Sequence, residues 1–591
     1  MRLLRYWLPL LLLLAAAAWW ATQGGRAPVA QATALCDEPA PYPADMDARL
    51  GRVQGMALAV RAAGELPAGL AWQDGAGEPE IGDPAAQKGG VLRVSNVGPY
   101  PANFLAFGSP APQFFHYNLF TTVELPLAAR HPQTGGAIPG TAQQWAVQGN
   151  TVYFRLHPAA RYSNGRPLRA ADYVLGALLR AECGDAGFEQ LRNAAEALEA
   201  RGQDVLVLSL RRPLSVPAAA ALLHAAEPAF YAEFGSDYRT RYADRVPPTT
   251  GGYTLGRTER GRMAELVRVR DWWARELPYY RFTCNADSIE HHFLTDEAQA
   301  WEFLLRGKLN LLQTRNVSLW QQRLPELEAA GLQTATFRAD YPMPPYGVAL
   351  NAESLPSAEL RRGLLHAMDM DAAVRLLFCG EGERLPTFHT GYGPLTPRRT
   401  PRCTYDPAAA RAAFAAAGYT QAGEDGILRN AAGERLSVRF TYTPNDKTST
   451  LAAALAQSAR RCGAELVPEP VAWQQAARQQ QEGRYQLLFW ATVAPAEPMP
   501  ARFFHSRAAG YDAPFRVHDA ELDALIDAYE QTRGAAELAA VDRRVAELAV
   551  WLPGWQENRI YAAHAPKVRF PRDFTPALYE LTETHLYWIT H

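Results

Sequence analysis

Several residues in this chain are of types that do chemistry, but their spacing argues against the obvious uses. His291 and His292 are adjacent, so on a strand their side chains point to opposite faces and cannot close on one metal ion. No two histidines form a pair one helical turn apart. The six cysteines, at 36, 183, 284, 379, 403 and 462, lack the close spacing of a zinc site. Serine, histidine and aspartate are all present, yet no Gly-x-Ser-x-Gly elbow offers a nucleophile. No catalytic residue, metal ligand or cofactor is therefore assigned. Cys379 and Cys403 bracket a Gly/Pro-rich loop between two predicted helices, and in an oxidising compartment they are the expected disulfide pair.

The elements that must position any site are clearest from Trp145 to Val174. This stretch reads as a strand, a two-residue Gly149-Asn150 turn, a second strand, an Asn164-Gly165 turn and a helix opening. Downstream, Ser357 is placed to cap a helix with Leu360, Leu364, Leu365 and Met368 on one face. Asp406-Pro407 starts an Ala-rich helix that stops at Gly418. Strands around Leu436 to Tyr442, Leu466-Val467 and Tyr485 to Trp490 alternate with a helix from about Thr450 to Cys462, the pattern of an α/β lobe. Two amphipathic stripes follow, Leu522-Leu525-Ile526-Tyr529 and Leu538-Val541-Val545-Leu548, with Pro553 beyond them and a strand-like run from Arg559 to Ala563.

At 591 residues the chain exceeds one hydrophobic core, so two or more lobes are expected. Charge is balanced, 59 Lys+Arg against 61 Asp+Glu, net −2; no basic footprint for nucleic acid is present. Residues 1–34 carry Arg2 and Arg5, an apolar run from Leu8 to Ala18 and Ala-x-Ala cleavage points at Ala30, Ala32 and Ala34. Cleavage is the favoured reading, with an uncleaved anchor as the alternative; Leu35 before Cys36 is a poor lipid-attachment context. The product is expected to be periplasmic. Residues 35–87, rich in Pro, Gly and Ala, are expected to pack loosely on the body.

Several blocks in order resemble the extracellular solute-binding proteins of family 5, the oligopeptide, dipeptide and nickel binders of ABC importers. They are Lys88-Gly-Gly-Val-Leu-Arg-Val, His131-Pro-Gln-Thr-Gly, Tyr162-Ser-Asn-Gly-Arg-Pro-Leu-Arg-Ala-Ala-Asp172, Tyr346-Gly-Val-Ala-Leu-Asn351, Leu360-Arg-Arg-Gly-Leu-Leu-His-Ala-Met-Asp369 and Tyr405-Asp-Pro to Gly418-Tyr. Val269-Arg-Asp-Trp-Trp-Ala-Arg-Glu-Leu-Pro278 is similar to the microcin and oligopeptide subgroup. Each block is weak alone; their order and spacing together are strong.

The resemblance implies an α/β, two-lobed periplasmic-binding-protein fold of the peptide-binder type, with an extra subdomain in the first lobe. The first lobe would span 88–340, the second 341–540, and 541–591 would return to the first. It implies a monomer that performs no chemistry, captures a peptide or peptide-like solute between its lobes and delivers it to ABC permease subunits in the inner membrane. Modified peptide, opine, sugar and metal chelate are also compatible ligands. An exported sensor of the same fold, uncoupled from transport, is the alternative; for a secreted hydrolase only the size argues. Expected cleft residues are Tyr341, Tyr346 and Asn351 at the crossover, and Trp490 and Thr492 at a strand end. Where the family places an Asp after this Trp for the peptide amine, this chain has only Glu497, in a longer loop, for which a solvated role is the favoured reading.

Overall fold

The strand pair that opens the 145–174 block forms as its residues dictate. In the computed structural model, which describes residues 42–108, 114–339, 342–397, 403–492, 494–495, 497–510, 513–572 and 584–590, Ala142–Gln148 and Thr151–Leu156 pair antiparallel. Gly149 takes φ 59°, the positive value a two-residue hairpin needs at its first central position. The Tyr162-Ser-Asn-Gly-Arg turn then swings Arg166 back onto the helix Ala170–Glu182. There Arg166 donates two hydrogen bonds to Asp172, at 3.0 and 3.1 Å, joined by the hydroxyls of Tyr162 and Tyr42 and the backbone N–H of Arg169. Asp172 is wholly buried in the first turn of its helix, where the helix dipole also favours a carboxylate. Asn164 accepts from the backbone N–H of Arg166, shaping the turn.

This hairpin belongs to a five-stranded outer sheet, ordered 57–61, 195–201, 205–210, 151–156, 142–148. Trp145, Val152, Phe154 and Leu156 face the helix Ala170–Glu182 within one core. Tyr153, Val205 and Val207 face the other way, onto Leu66, Leu70 and Trp72. The N-terminal lead-in is thus structural, not loose. Its strand Ala57–Arg61 pairs with Ala195–Arg201, Arg155 stacks 4.1 Å over Trp72, and Met46, Leu50, Met56 and Leu58 join the core. A composition of Pro, Gly and Ala hides this, because single apolar residues between turns do the covering.

The first lobe proper is a seven-stranded sheet, ordered 333–338, 559–564, 311–314, 91–97, 288–294, 263–268, 253–259. Val91–Val97, Ser288–Leu294 and Leu311–Thr314 are parallel. The second lobe is a five-stranded sheet, ordered 465–470, 437–442, 487–491, 346–350, 551–555. One face carries Val348, Leu350, Phe440 and Leu487 under the helices Ala358–Ala367, Met370–Leu377, Pro407–Ala416 and Asp446–Arg461. The other carries Ala349, Leu488 and Trp490 under Ala520–Thr532 and Ala535–Glu547. The strand Trp551–Trp555 lies at the edge of this second sheet, and the chain rejoins the first sheet only at Arg559. The return expected at 541 therefore comes later: the helix Ala535–Glu547 packs on the second lobe. Pro553, read as following a helix, sits inside that edge strand, the position in a sheet that tolerates proline.

The expected Cys379–Cys403 bridge is not made; both are free thiols. Cys379 adopts a left-handed backbone, φ 51°, after the helix Met370–Leu377. The loop is anchored instead by buried Arg384, whose guanidinium donates to the carbonyls of Cys403 (2.8 Å) and Pro553 (2.7 Å) and to Asp371 (3.1 Å). The expected signal segment lies outside the described residues. Among the described residues, no helix is long and apolar enough to cross a membrane.

Candidate inter-lobe site

The carboxyl ends of the parallel strands in both sheets point at the same seam. Two crossings pass between the lobes, one described at Ala339 and again over 342–345, the other over 556–558, and they are tied to each other. The N–H of Ala339 donates to the carbonyl of Asn558 at 2.7 Å, and the Gln556 amide donates to the carbonyls of Met343 (2.8 Å) and Thr390 (3.2 Å). Beside the crossings lies a cavity of about 130 Å³. Its lining includes Arg315, Arg338 and Arg559 at strand ends of the first lobe, Glu381, Glu383 and Arg384 of the second, and Glu557 of a crossing. Its walls therefore carry both signs of charge.

Glu381 is a point of contact between lobes. Its carboxylate accepts from Arg559 (2.6 Å), the Tyr561 hydroxyl (2.9 Å) and the Gln321 amide (3.2 Å), all from the first lobe. The Tyr561 hydroxyl, and then the Arg559 guanidinium, hold this carboxyl below the ordinary glutamate value. Lys447 pairs with Glu557 at 2.5 Å, and Arg212 of the outer subdomain reaches Glu530 of the second lobe at 2.9 Å.

An aromatic wall completes the seam. Tyr346 stacks on Trp555, with centroids 5.4 Å apart and planes 9° from parallel, and Phe489 stacks on both. Of the residues expected from the sequence, Tyr346 stands in this wall at the seam. Thr492 lies apart from it, in a small recess with His389 and Tyr392. Trp490 points to the opposite face of its strand from Phe489, into the core with Phe388, Phe503, Phe515 and Trp551. Asn351 is wholly buried: its amide donates to the carbonyls of Gly483 and Tyr485 and accepts from the N–H groups of Glu353 and Ser354. It is a brace of the second lobe, with no capacity left for a ligand. Glu497 is half-buried and lines neither cavity; it lies near Tyr529, whose hydroxyl burial raises and Glu497 raises further. Tyr341 falls outside the described residues.

His291 and His292 take opposite faces, as adjacent strand residues must. His291 is buried with Nδ1 3.0 Å from the Asn96 amide, and burial pushes it down to about 3, so it is neutral. Sequence reasoning missed Glu381 and the buried pair His389–Asp542. The former sits in an unpatterned Gly-Glu-Gly-Glu turn; the latter joins residues 153 apart in sequence.

Two α/β lobes, joined by paired crossings and enclosing a cavity at the seam, define the two-lobed binding-protein fold of peptide binders. The family model of bacterial extracellular solute-binding proteins, family 5 Middle, matches residues 136–512, more than half of the chain, and the chain belongs to that family. Among curated relatives, the uncharacterized protein YejA of Escherichia coli K12 is 24% identical over 250 residues, 41% of this chain and 39% of that protein. The chain thus spans about two fifths of the length of YejA. A probable ABC transporter-binding protein of Deinococcus radiodurans is 22% identical over 463 residues, 72% of this chain and 75% of that one. The oligopeptide-binding protein AppA of Bacillus subtilis, solved with a nonapeptide, superposes with a TM-score of 0.66 at 15% identity, covering 86% of this chain and 100% of AppA. At that identity the likeness shows the fold.

Proposed function

We propose that the chain is a periplasmic monomer that captures a peptide or peptide-like solute between its lobes and delivers it to ABC permease subunits in the inner membrane. The observation that carries this reading is the seam itself: a cavity lined by guanidinium groups and carboxylates, with Trp555 of the aromatic stack in its wall. Such walls suit a zwitterion with an apolar body, which is what a peptide is. The family match and the nonapeptide held by AppA support the same ligand class. A cavity of about 130 Å³ is smaller than the ~300–1,000 Å³ that encloses a drug-sized molecule. Capture therefore requires the lobes to part about the crossings and close again, a hinge motion. On this reading Tyr346 and Phe489 face the solute and Trp490 supports them from the other face of its strand, while Thr492 stands in a separate recess and Asn351 braces the far end of the sheet.

Residues 1–34 serve as the export signal in this scheme, and sequencing the mature N-terminus tests their removal. The binding reading is tested by thermal melting of the purified protein against peptides of two to nine residues. A ligand present at 100 times its Kd adds about 2.7 kcal/mol, so a saturable upward shift is expected. A complete set of flat titrations would overturn the peptide assignment.

A further inference from the structure

We propose that Arg212 and Glu530 form a clasp through which the outer subdomain holds the protein shut, so that two residues outside the cavity help to set how tightly a solute is kept. They are positioning residues: neither lines the cavity at the seam. The proposal rests on the reading that the lobes part about the crossings and close again on a solute.

The outer subdomain is covalently a branch of the first lobe. The chain leaves the seven-stranded sheet after Val91–Val97 and re-enters it at Tyr253–Glu259, and none of the five outer strands belongs to the second lobe. When the lobes part, the outer subdomain therefore travels with the first lobe, and a direct bond from it to the second lobe resists the motion. Arg212 makes such a bond: its guanidinium donates to a carboxylate oxygen of Glu530 at 2.9 Å.

Both ends of this bond rest on fixed structure. The neighbouring Arg211 is pinned by its backbone N–H to the carbonyl of Ala194 (2.8 Å) and by its guanidinium to the carbonyls of Arg192 (3.2 Å) and Gly55 (2.8 Å). Pro213 follows with a locked φ, so Arg212 springs from a stiff turn after the strand Val205–Leu210. On the other side, Glu530 lies in the last turn of the helix Ala520–Thr532, where the helix dipole opposes a carboxylate. Two cations offset that opposition. Arg533, in the left-handed position that ends the helix (φ 53°), donates to the same oxygen at 2.9 Å, and Arg212 supplies the second charge. The Glu530 side chain is 13% exposed and that of Arg212 46%. Withdrawing Arg212 thus strips one of two cations from a carboxylate largely shielded from water, while the half-exposed guanidinium leaves the bond open to screening by salt.

The test is small-angle scattering of the full chain without ligand, at low and at high salt, beside Arg212→Ala, Arg212→Lys, Glu530→Gln and the double variant Arg212→Ala/Glu530→Gln. At low salt the proposal expects a larger radius of gyration in Arg212→Ala and in Glu530→Gln, and a radius close to that of the unaltered chain in Arg212→Lys, which keeps the charge. The double variant should expand no further than either single one, because one bond is lost once. Raising the salt should expand the unaltered chain more than Arg212→Ala. Any peptide of two to nine residues that shifts the melting temperature should bind Arg212→Ala more weakly, by up to about fivefold, the range of a part-exposed ion pair. Unchanged radii in both single variants would overturn the clasp whatever the peptides do, and so would expansion that adds up in the double variant. Expanded variants together with flat peptide titrations would support the clasp and count against the peptide reading alone. Should Glu530→Gln fail to fold, the contrast between Arg212→Ala and Arg212→Lys, on the exposed side of the pair, decides.

Discussion

Trp490 and Phe489 are neighbours with different fates, and the difference is one of strand geometry. Successive side chains on Leu487–Ala491 alternate between faces, so Phe489 stacks at the seam with Tyr346 and Trp555 while Trp490 sinks among Phe388, Phe503, Phe515 and Trp551. Removing a large buried ring costs about 3–5 kcal/mol. Trp490→Ala is therefore expected to lower the urea midpoint strongly, whereas Phe489→Ala, half-buried, should cost markedly less. Equal losses in the two variants would contradict this division. The sequence could name the pair but not choose between them, because both faces of this sheet are covered and the alternation carries no polar side. Asn351 shows the same limit. Its residue type suits a ligand contact as well as a loop brace, and only the two carbonyls within 2.9 Å of its amide nitrogen decide for the brace.

Local elements were readable wherever caps and turns fix them. Ser357 caps Ala358–Ala367 by accepting from the N–H of Leu360, and Asp406 caps Pro407–Ala416 by accepting from Ala408 and Ala409. The helix expected from Thr450 begins earlier, at Asp446, because Asn445 caps it. The Tyr162–Asp172 block is an element-level device: Asp172 anchors the start of its helix to the preceding turn and to Tyr42. Breaking a buried ion pair from one side costs about 3–5 kcal/mol. Asp172→Ala should thus destabilise the outer subdomain by that amount, read by chemical denaturation, with Asn164→Asp close to neutral since either residue serves the turn. Across the seam, Glu381 supplies a weaker link. Its folded-state pKa is lowered, so its contribution is complete above the ordinary glutamate value and is lost as pH falls through that value toward the lowered one. Because it is part-exposed, the contribution is under about 1 kcal/mol. Glu381→Gln at neutral pH, and acidification of the unaltered chain well below the ordinary glutamate range, should both raise the radius of gyration in small-angle scattering. An unchanged radius in both would show that the contact does not hold the lobes together.

At the scale of the whole molecule, the alternation of helix and strand in the second lobe is visible in the sequence, while the edge strand Trp551–Trp555, the late return at Arg559 and the closing of the outer subdomain are not. Leu66, Leu70 and Trp72 lie in a stretch without periodicity, yet they cover Tyr153, Val205 and Val207. Covering apolar surface is worth roughly 25 cal/mol per Å². A chain shortened to begin at Lys88 is therefore expected to melt well below the longer chain and to bind a hydrophobic dye; melting at the same temperature would show the cover to be dispensable.

The paired crossings have a mechanical consequence. Because the two crossings are fastened to each other at Ala339–Asn558 and again at Met343–Gln556, they are joined as a strap is rather than as two independent threads. A strap of this kind yields to folding across its width but resists shear and torsion. A parting of the lobes of the kind proposed would then trace one repeatable arc, and the outer contours of the two halves would come back to the same mutual pose on shutting.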